Sequence, residues 1–250
     1  MTGQSALVVA HPDDEALWLS AVLGRADRVV LCFGDLFGRP KMSAARRRAV
    51  AGLQLPGLID LKVPESGGGL SVDWQQPRLT PAGIAIADAA AGERYAANFA
   101  ALVERLRTAL AGCTDVYTHN PWGEYGHAEH IQVHRAVAAL QAELGYTIWF
   151  SNYVGVASWP LAQEIGRQPC WTERRTVVPD EALAKRLRDV YRHAGAWTWT
   201  RWHRWPDEEI LYGVSRGGSL HALAGEALMD VAGLRWWPPP WGPAKRALKA

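Results

Sequence analysis

The chain has 250 residues, which suits one large domain or one domain with an elaborated second part. Its 27 Lys and Arg residues against 25 Asp and Glu give a net charge of +2, which disfavours nucleic-acid binding through bulk electrostatics. A hydrophobic fraction of 48% excludes intrinsic disorder over most of the chain. No apolar run approaches the ~18 residues of a membrane-spanning helix, and the amino terminus lacks a secretory pattern. Three scattered cysteines favour a reducing cytoplasm over a disulfide framework.

The first 63 residues predict a strand–helix–strand unit followed by another helix and strand. Valine-rich runs at 5–10 and 28–33 are typical of strands buried on both faces, as in a parallel sheet. Between them, residues 15–25 have apolar side chains at helical spacing, and such a crossover is right-handed. A second helix is expected over 43–53 and a third strand over 58–63.

The alternation of helices and strands continues after one long break. Residues 65–83 are rich in Gly, Pro and polar residues, which predicts a loop that is either a functional lid or a tolerated insertion. Beyond the loop we expect helices at 93–110, 128–144 and 181–193 and strands at 116–118 and 147–153. The proline-rich end, residues 236–250, is expected to wrap the surface or fray.

This alternation predicts an α/β fold, a Rossmann-like and mostly parallel sheet with helices on both faces. No linker divides the chain, so we expect a single domain over 1–250, with a motif-bearing core at 1–155 and a Trp-rich elaboration at 156–250. Its 13 tryptophans are an unusual number. We expect the tryptophans at 197–205 and 236–241 either to pack in the interior and the tail or to form one side of a sugar-binding site. The second alternative depends on the indole face, which covers the apolar face of a pyranose.

The first candidate site is the pentapeptide 11–15 (HPDDE), directly after the first strand. Ligands of open parallel sheets gather beyond the carboxyl ends of the strands. One imidazole and three carboxylates lie at such an end, and their mutual repulsion is relieved by a cation. The alternative is that the acidic residues only complement the positive end of the next helix.

The second candidate is the segment 123–130 (GEYGHAEH), which follows a later strand and opens a helix. His127 and His130 are three residues apart and lie on one helical face. A lone histidine pair is more often structural, but a second cluster at a matching sheet edge favours a metal. Two His and one Asp leave positions open for water, as in catalytic zinc sites, where the pKa of the water falls to ~7. With a spare carboxylate and imidazole for proton transfer, the pattern predicts hydrolysis of an amide or ester.

The motifs AHPDDEAL (10–17) and GEYGHAEH together resemble the LmbE-like family of N-acetylglucosaminyl-phosphatidylinositol de-N-acetylases and thiol-pathway deacetylases. The resemblance covers residues 5–155. It implies a Rossmann-like fold and the zinc-dependent removal of an acyl group, usually acetyl, from an amino sugar.

Carried over by position, the resemblance implies one zinc ion per chain, held by His11, Asp14 and His130. Asp13 is then the general base that activates water. His127 is the protonated imidazole that assists the oxyanion and the leaving amine. Tyr125 matches a tyrosine that donates to the carbonyl oxygen in some members.

Five further residues are candidates for orienting the catalytic groups or touching substrate. Glu129 stands where the family often has an Asp that orients the histidine at 127, so HAEH replaces the commoner HPDH. Arg47 is the candidate for a sugar hydroxyl or phosphate, although the glutamate that often follows this arginine is missing. His119, Asn120 and Trp122 lie near the second motif, and their alternative is a turn that needs polar caps.

Other activities stay open at this point. The same machinery cleaves other amides, so a thiol conjugate or an antibiotic intermediate is an alternative substrate to an N-acetylated amino sugar. Two His and one carboxylate also suit Fe2+ in oxygen-activating enzymes, so another divalent ion is an alternative to zinc. A non-catalytic carbohydrate-binding protein on the same fold is expected to lack the chemical residues, which are all present here.

Overall fold

A seven-stranded sheet with helices on both faces forms the centre of the molecule in a computed structural model that describes residues 3–223 and 228–234. The strands are β1 (Gln4–Val9), β2 (Arg28–Phe33), β3 (Leu58–Val63), β4 (Leu79–Thr80), β5 (Gly83–Ile84), β6 (Cys113–Thr118), β7 (Thr147–Ser151), β8 (Tyr153–Val154), β9 (Glu173–Val177), β10 (Glu209–Val214) and β11 (Met229–Asp230). The helices are α1 (Asp14–Trp18), α2 (Ser20–Leu23), α3 (Pro40–Gly52), α4 (Ala89–Ala109), α5 (Ala128–Leu144), α6 (Trp159–Gly166) and α7 (Glu181–Ala194).

The strand order is β3-β2-β1-β6-β7-β10-β9, and the pairs from β3 to β7 are parallel. Strand β10 runs antiparallel to both β7 and β9. The mostly parallel α/β sheet predicted from the sequence is thereby confirmed. Strands β9 and β10 lie after residue 155 and extend the same sheet, so the Trp-rich part continues the core in space.

Alternating side chains of the central strands form two separate cores. Leu7 and Val9 of β1 face a cluster that includes residues of α1, α2, α3 and α7. Ala6 and Val8 face the opposite cluster, built with α4 and α5. Strands covered on both faces need apolar side chains at every position, which explains the continuous valine-rich runs.

The structure differs from the sequence-based elements in two places that bear on the site. The helix expected over 15–25 is broken at Leu19, which leaves helical geometry with φ −142° and ψ 30° and separates α1 from α2. The loop expected over 65–83 contains a short 3-10 turn at Gly68–Ser71 and, with residue 84, the hairpin β4–β5. The Gly and Pro residues of this segment are compatible with such short elements and do not exclude them. Residues 236–250, including Trp236, Trp237 and Trp241, lie outside the described residues.

None of the helices in the described ranges is both long enough and apolar enough to cross a bilayer.

Candidate metal and catalytic site

The two motifs meet at the carboxyl edge of β1 and β6, where the strand order reverses. Strand β1 leads outward to β2 and β3, and the chain then returns to place β6 on the other side of β1. Such a switch point leaves a crevice above the strand ends, and ligands of open α/β sheets bind there. His11 and Asp14 follow β1, while His127 and His130 stand at the start of α5 beyond β6.

Asp14 lies between the two histidines that are expected to share an ion with it. Its Oδ2 is 3.1 Å from Nδ1 of His11 and 3.2 Å from Nε2 of His130. Donors around a tetrahedral zinc ion with bonds of ~2.0 Å are about 3.3 Å apart, so both separations suit ligands of one ion. The indole N–H of Trp18 donates to the other oxygen, Oδ1, at 3.0 Å and fixes the carboxylate. Burial opposes ionisation, but the imidazoles of His130 and His11 hold the pKa of Asp14 well below its usual range.

Each of these two histidines faces carboxylates on its far ring nitrogen. Nδ1 of His130 lies 2.7 Å from Oε2 of Glu124, a fully buried residue. Nε2 of His11 lies 3.4 Å from Oε1 of Glu65 and 3.7 Å from Oε2 of Glu129. A carboxylate behind a metal-binding histidine keeps the far nitrogen protonated and leaves the near nitrogen as the ligand. The arrangement therefore presents the lone pair of His130 Nε2 to the crevice.

The residues present fit a divalent metal ion. Two buried ring nitrogens, His127 Nδ1 and His130 Nε2, have no hydrogen-bond partner within the described part of the chain. Candidate ligand atoms lie within 4.8 Å of one another in the groups His11–His127–His130, Asp14–His119–His130 and His11–Glu65–Glu129. The expected set of His11, Asp14 and His130 draws on the first two groups. Buried imidazoles without partners beside carboxylates are the donors that zinc and related ions take.

Asp13 lies at the turn between β1 and α1 in an unusual backbone conformation. Its φ of 102° is in the left-handed region, which residues other than Gly adopt at a cost that is often met at functional sites. The backbone N–H and the hydroxyl of Thr198 both donate to Oδ2 of Asp13, at 2.9 and 2.8 Å. Burial and the charge of Asp14 raise the pKa of Asp13 to about 7, against these hydrogen bonds, which lower it.

His127 and Tyr125 border the same crevice. The ring of His127 lies edge-on to that of His11, with centroids 4.6 Å apart, and its side chain is 25% exposed. Nδ1 of His127 is 3.5 Å from Oε2 of Glu129, whose other oxygen accepts from the N–H and hydroxyl of Ser66. Burial and two neighbouring imidazoles hold the pKa of His127 well below its usual range. Burial and nearby carboxylates raise the pKa of Tyr125, which keeps its hydroxyl a donor.

Three residues predicted to orient the catalytic groups or to touch substrate are enclosed in the protein. His119 accepts from the N–H of Ala10 at 2.8 Å through Nε2 and faces Glu124 with Nδ1. The side-chain amide of Asn120 donates to the carbonyl oxygens of β7 and β8. Trp122 is fully buried and donates to the carbonyl of Tyr153 at 2.7 Å. Their burial opposes contact with substrate, which a motif alone does not reveal. An orienting role stays a prediction for His119, whose Nδ1 faces Glu124.

The structure does not bring Arg47 to the site. Its side chain is 59% exposed and pairs with Asp35 on the surface. The preceding residue, Arg46, is buried instead and forms an ion pair with Glu65 at 2.5 Å. The side chains of adjacent residues on a helix point about 100° apart. Of two neighbouring arginines, one can therefore face the crevice while the other faces solvent.

Three further residues at the site, Glu124, Glu65 and Thr198, are not predicted by the sequence. Glu124 lies inside the second motif, where the sequence around it is typical of an ordinary turn. It adopts φ 47°, and its Oε1 accepts from the N–H of Asn120 at 2.9 Å. Glu65 and Thr198 lie in segments without a motif, and no spacing signal points to them.

Comparisons with known proteins agree with this fold. No protein-family model matches the chain. A 1D-myo-inositol 2-acetamido-2-deoxy-alpha-D-glucopyranoside deacetylase of Corynebacterium kroppenstedtii is 29% identical over 248 residues, covering 90% of this chain. This chain spans only 56% of the length of that relative.

Two solved deacetylases resemble the structure itself. The zinc-inhibited form of a teicoplanin deacetylase superposes with a TM-score of 0.55 at 11% identity, covering 86% of this chain and all of the other. An A40926 pseudoaglycone deacetylase gives a TM-score of 0.52 at 13% identity, covering 88% of this chain and all of the other. This chain is thus similar to the LmbE-like deacetylases in sequence and has their α/β fold, as its two motifs predicted.

Proposed function

We propose that the chain is a metal-dependent hydrolase that removes an N-acetyl or other acyl group from an amino sugar. The observation that carries this proposal is the placement of Asp14 Oδ2 within 3.2 Å of ring nitrogens of both His11 and His130, with Asp13 beside them. A structural metal site uses four protein ligands, whereas three ligands next to a spare base suit hydrolysis.

His11, Asp14 and His130 would hold the ion, which we propose to be zinc. A bound zinc ion supplies Lewis acidity and makes a neighbouring water acidic near neutral pH. The alternative, Fe2+ with oxygen chemistry, has less support because that chemistry has no use for a buried base such as Asp13.

Asp13 is the general base of the proposed reaction. Burial brings the pKa of its carboxylate to about 7, and a base is most effective when its pKa lies near the working pH. Asp13 takes a proton from the attacking water and passes it to the departing nitrogen. The oxygen of the attacking water forms a new C–O bond to the carbonyl carbon of the amide. The C–N bond then breaks, and the products are a carboxylic acid and a free amine.

Tyr125 and His127 stabilise the developing negative charge. The hydroxyl of Tyr125 stays protonated and can donate to the carbonyl oxygen of the amide. The neutral ring of His127 donates a hydrogen bond, and negative charge on the substrate oxygen raises its affinity for a proton. The carboxylate of Glu129 lies behind the ring, with Oε2 3.5 Å from Nδ1.

The relative, which is named for a 2-acetamido-2-deoxy-glucopyranoside, supports an amino sugar as the proposed substrate class. Incubation of the protein with a panel of N-acetylated amino sugars, with and without a chelator, should release free amine only when metal is present. Release from none of them, with zinc bound, would contradict the amino-sugar assignment, and amides of thiol conjugates would then be assayed. Oxygen consumption on turnover would contradict hydrolysis altogether.

A further inference from the structure

The carboxylate of Asp13 is held from the far end of the chain. Thr198, 185 residues later, donates both its backbone N–H and its hydroxyl to the same oxygen, Oδ2. Asp13 is only 1% exposed, whereas Thr198 is exposed. Within the described residues, no side chain or backbone group donates to Oδ1 of Asp13. Two donors on one oxygen restrict rotation of the carboxylate and direct the other oxygen away from them.

The backbone of Asp13 is fixed independently of this contact. Its N–H donates to Oε2 of Glu15 at 3.1 Å, and Oε1 of Glu15 accepts from the hydroxyl of Tyr191 at 2.7 Å. With the backbone held in the left-handed region, the side-chain torsions are the remaining freedom of Asp13. Thr198 removes that freedom.

Tryptophans anchor the segment that carries Thr198, here named the arm (residues 197–205). Trp199 packs against the rings of Trp18 and Tyr125, with centroids 5.1 and 5.0 Å away. At the other end, Trp205 is buried and donates its indole N–H to the carbonyl of Ala16 at 2.6 Å. The arm is therefore fastened at two points to α1 and its surroundings, and these contacts hold Thr198 beside Asp13.

We infer that Thr198 is a positioning residue for the catalytic base and that the arm exists to present it. This inference rests on the proposed function. By holding Oδ2, Thr198 leaves Oδ1 to take the proton from the attacking water, and the base needs no reorientation during the reaction. A role for part of the tryptophan cluster follows, since the indoles of Trp199 and Trp205 fix the arm in place.

Thr198→Val and Thr198→Ser distinguish positioning from packing. Valine keeps the shape and removes the hydroxyl donor, while serine keeps the donor. In the zinc-loaded full chain acting on N-acetylglucosamine derivatives, Thr198→Val should lower kcat about 10- to 100-fold, with KM and zinc content unchanged. Thr198→Ser should restore kcat to near the wild-type value. The matched control is Thr200→Val on the same arm, whose hydroxyl accepts only from the N–H of Trp202 among the described residues.

A Thr198→Val enzyme with the kcat of the wild type overturns the inference, and so does a rise in KM alone, which would make Thr198 a substrate contact. If the wild type itself cleaves none of the sugars, the proposed function fails, and crystal structures then decide the inference separately. An Asp13 carboxylate that turns in Thr198→Val but not in Thr200→Val supports it, whereas an unchanged carboxylate refutes it.

Discussion

Glu124→Gln tests whether a buried carboxylate sets the metal affinity of His130. Glu124 uses both oxygens as acceptors: Oε2 faces Nδ1 of His130 at 2.7 Å and of His119 at 3.1 Å, and Oε1 accepts from the N–H of Asn120 at 2.9 Å. Burial opposes its ionisation, but the two imidazoles lower the pKa of Glu124 to about 2, so it carries a full charge.

Glutamine changes this network in two measurable ways. Its amide nitrogen must face at least one of the three N–H donors, and a buried donor without an acceptor costs about 1–3 kcal/mol in the free energy of unfolding. The loss of the charge behind His130 weakens the ligand. Partners of this kind are worth about 10- to 100-fold in metal affinity, which corresponds to about 1.4–2.8 kcal/mol.

Zinc affinity is measured by competition with a chromophoric chelator at neutral pH, and stability by denaturant titration of the metal-free protein. The matched control is Glu143→Gln, a half-exposed glutamate that pairs with Arg107 on the surface at 2.8 Å. The control should leave both quantities unchanged. A zinc affinity of Glu124→Gln equal to that of Glu143→Gln would refute the reasoning, because Glu124 would then only fill space between the rings.

Three further outcomes are expected. Asp13→Asn should lower kcat at least about 100-fold while zinc content, measured by metal analysis, stays at the wild-type level; near-normal turnover would remove Asp13 as the base. Burial raises the pKa of Glu209 from 4.5 to about 7, so its contribution to stability is full below about pH 4.5 and is lost as the pH rises to about 7. Glu209→Gln should therefore gain stability relative to the wild type on going from acid to neutral pH in denaturant titrations, and a constant difference would contradict this. In Gly155→Ala the new Cβ would lie 2.7 Å from the Cα of Tyr125, which should cost about 1–3 kcal/mol in stability and lower kcat, whereas Gly69→Ala, with open space around it, should change neither.

The local pattern of the chain was sufficient for much of the scaffold. The apolar run at β2 and the helix α5 have the bounds that periodicity predicts, because a strand buried on both faces and a long helix carry their signal in adjacent residues. The alternating residues of β3 likewise predict its bounds. The break at Leu19 escaped prediction, since helical spacing continues across it. Strand β9 at the edge of the sheet also escaped, because its charged and polar residues interrupt the alternation of an edge strand. Strand β10 escaped as well, although its residues are mainly apolar.

For the site, the sequence by itself determined which two segments carry the metal-binding chemistry, because each motif follows a strand and parallel strands end at one edge of the sheet. It could not determine that Glu124 stands behind His130, that Arg46 rather than Arg47 turns inward, or that Thr198 reaches Asp13. Those relations depend on burial and on contacts between residues up to 185 positions apart. Only the packing of the arm and of α3 against the sheet brings these groups within hydrogen-bond distance, and that packing is a property of the whole fold rather than of any short stretch of chain.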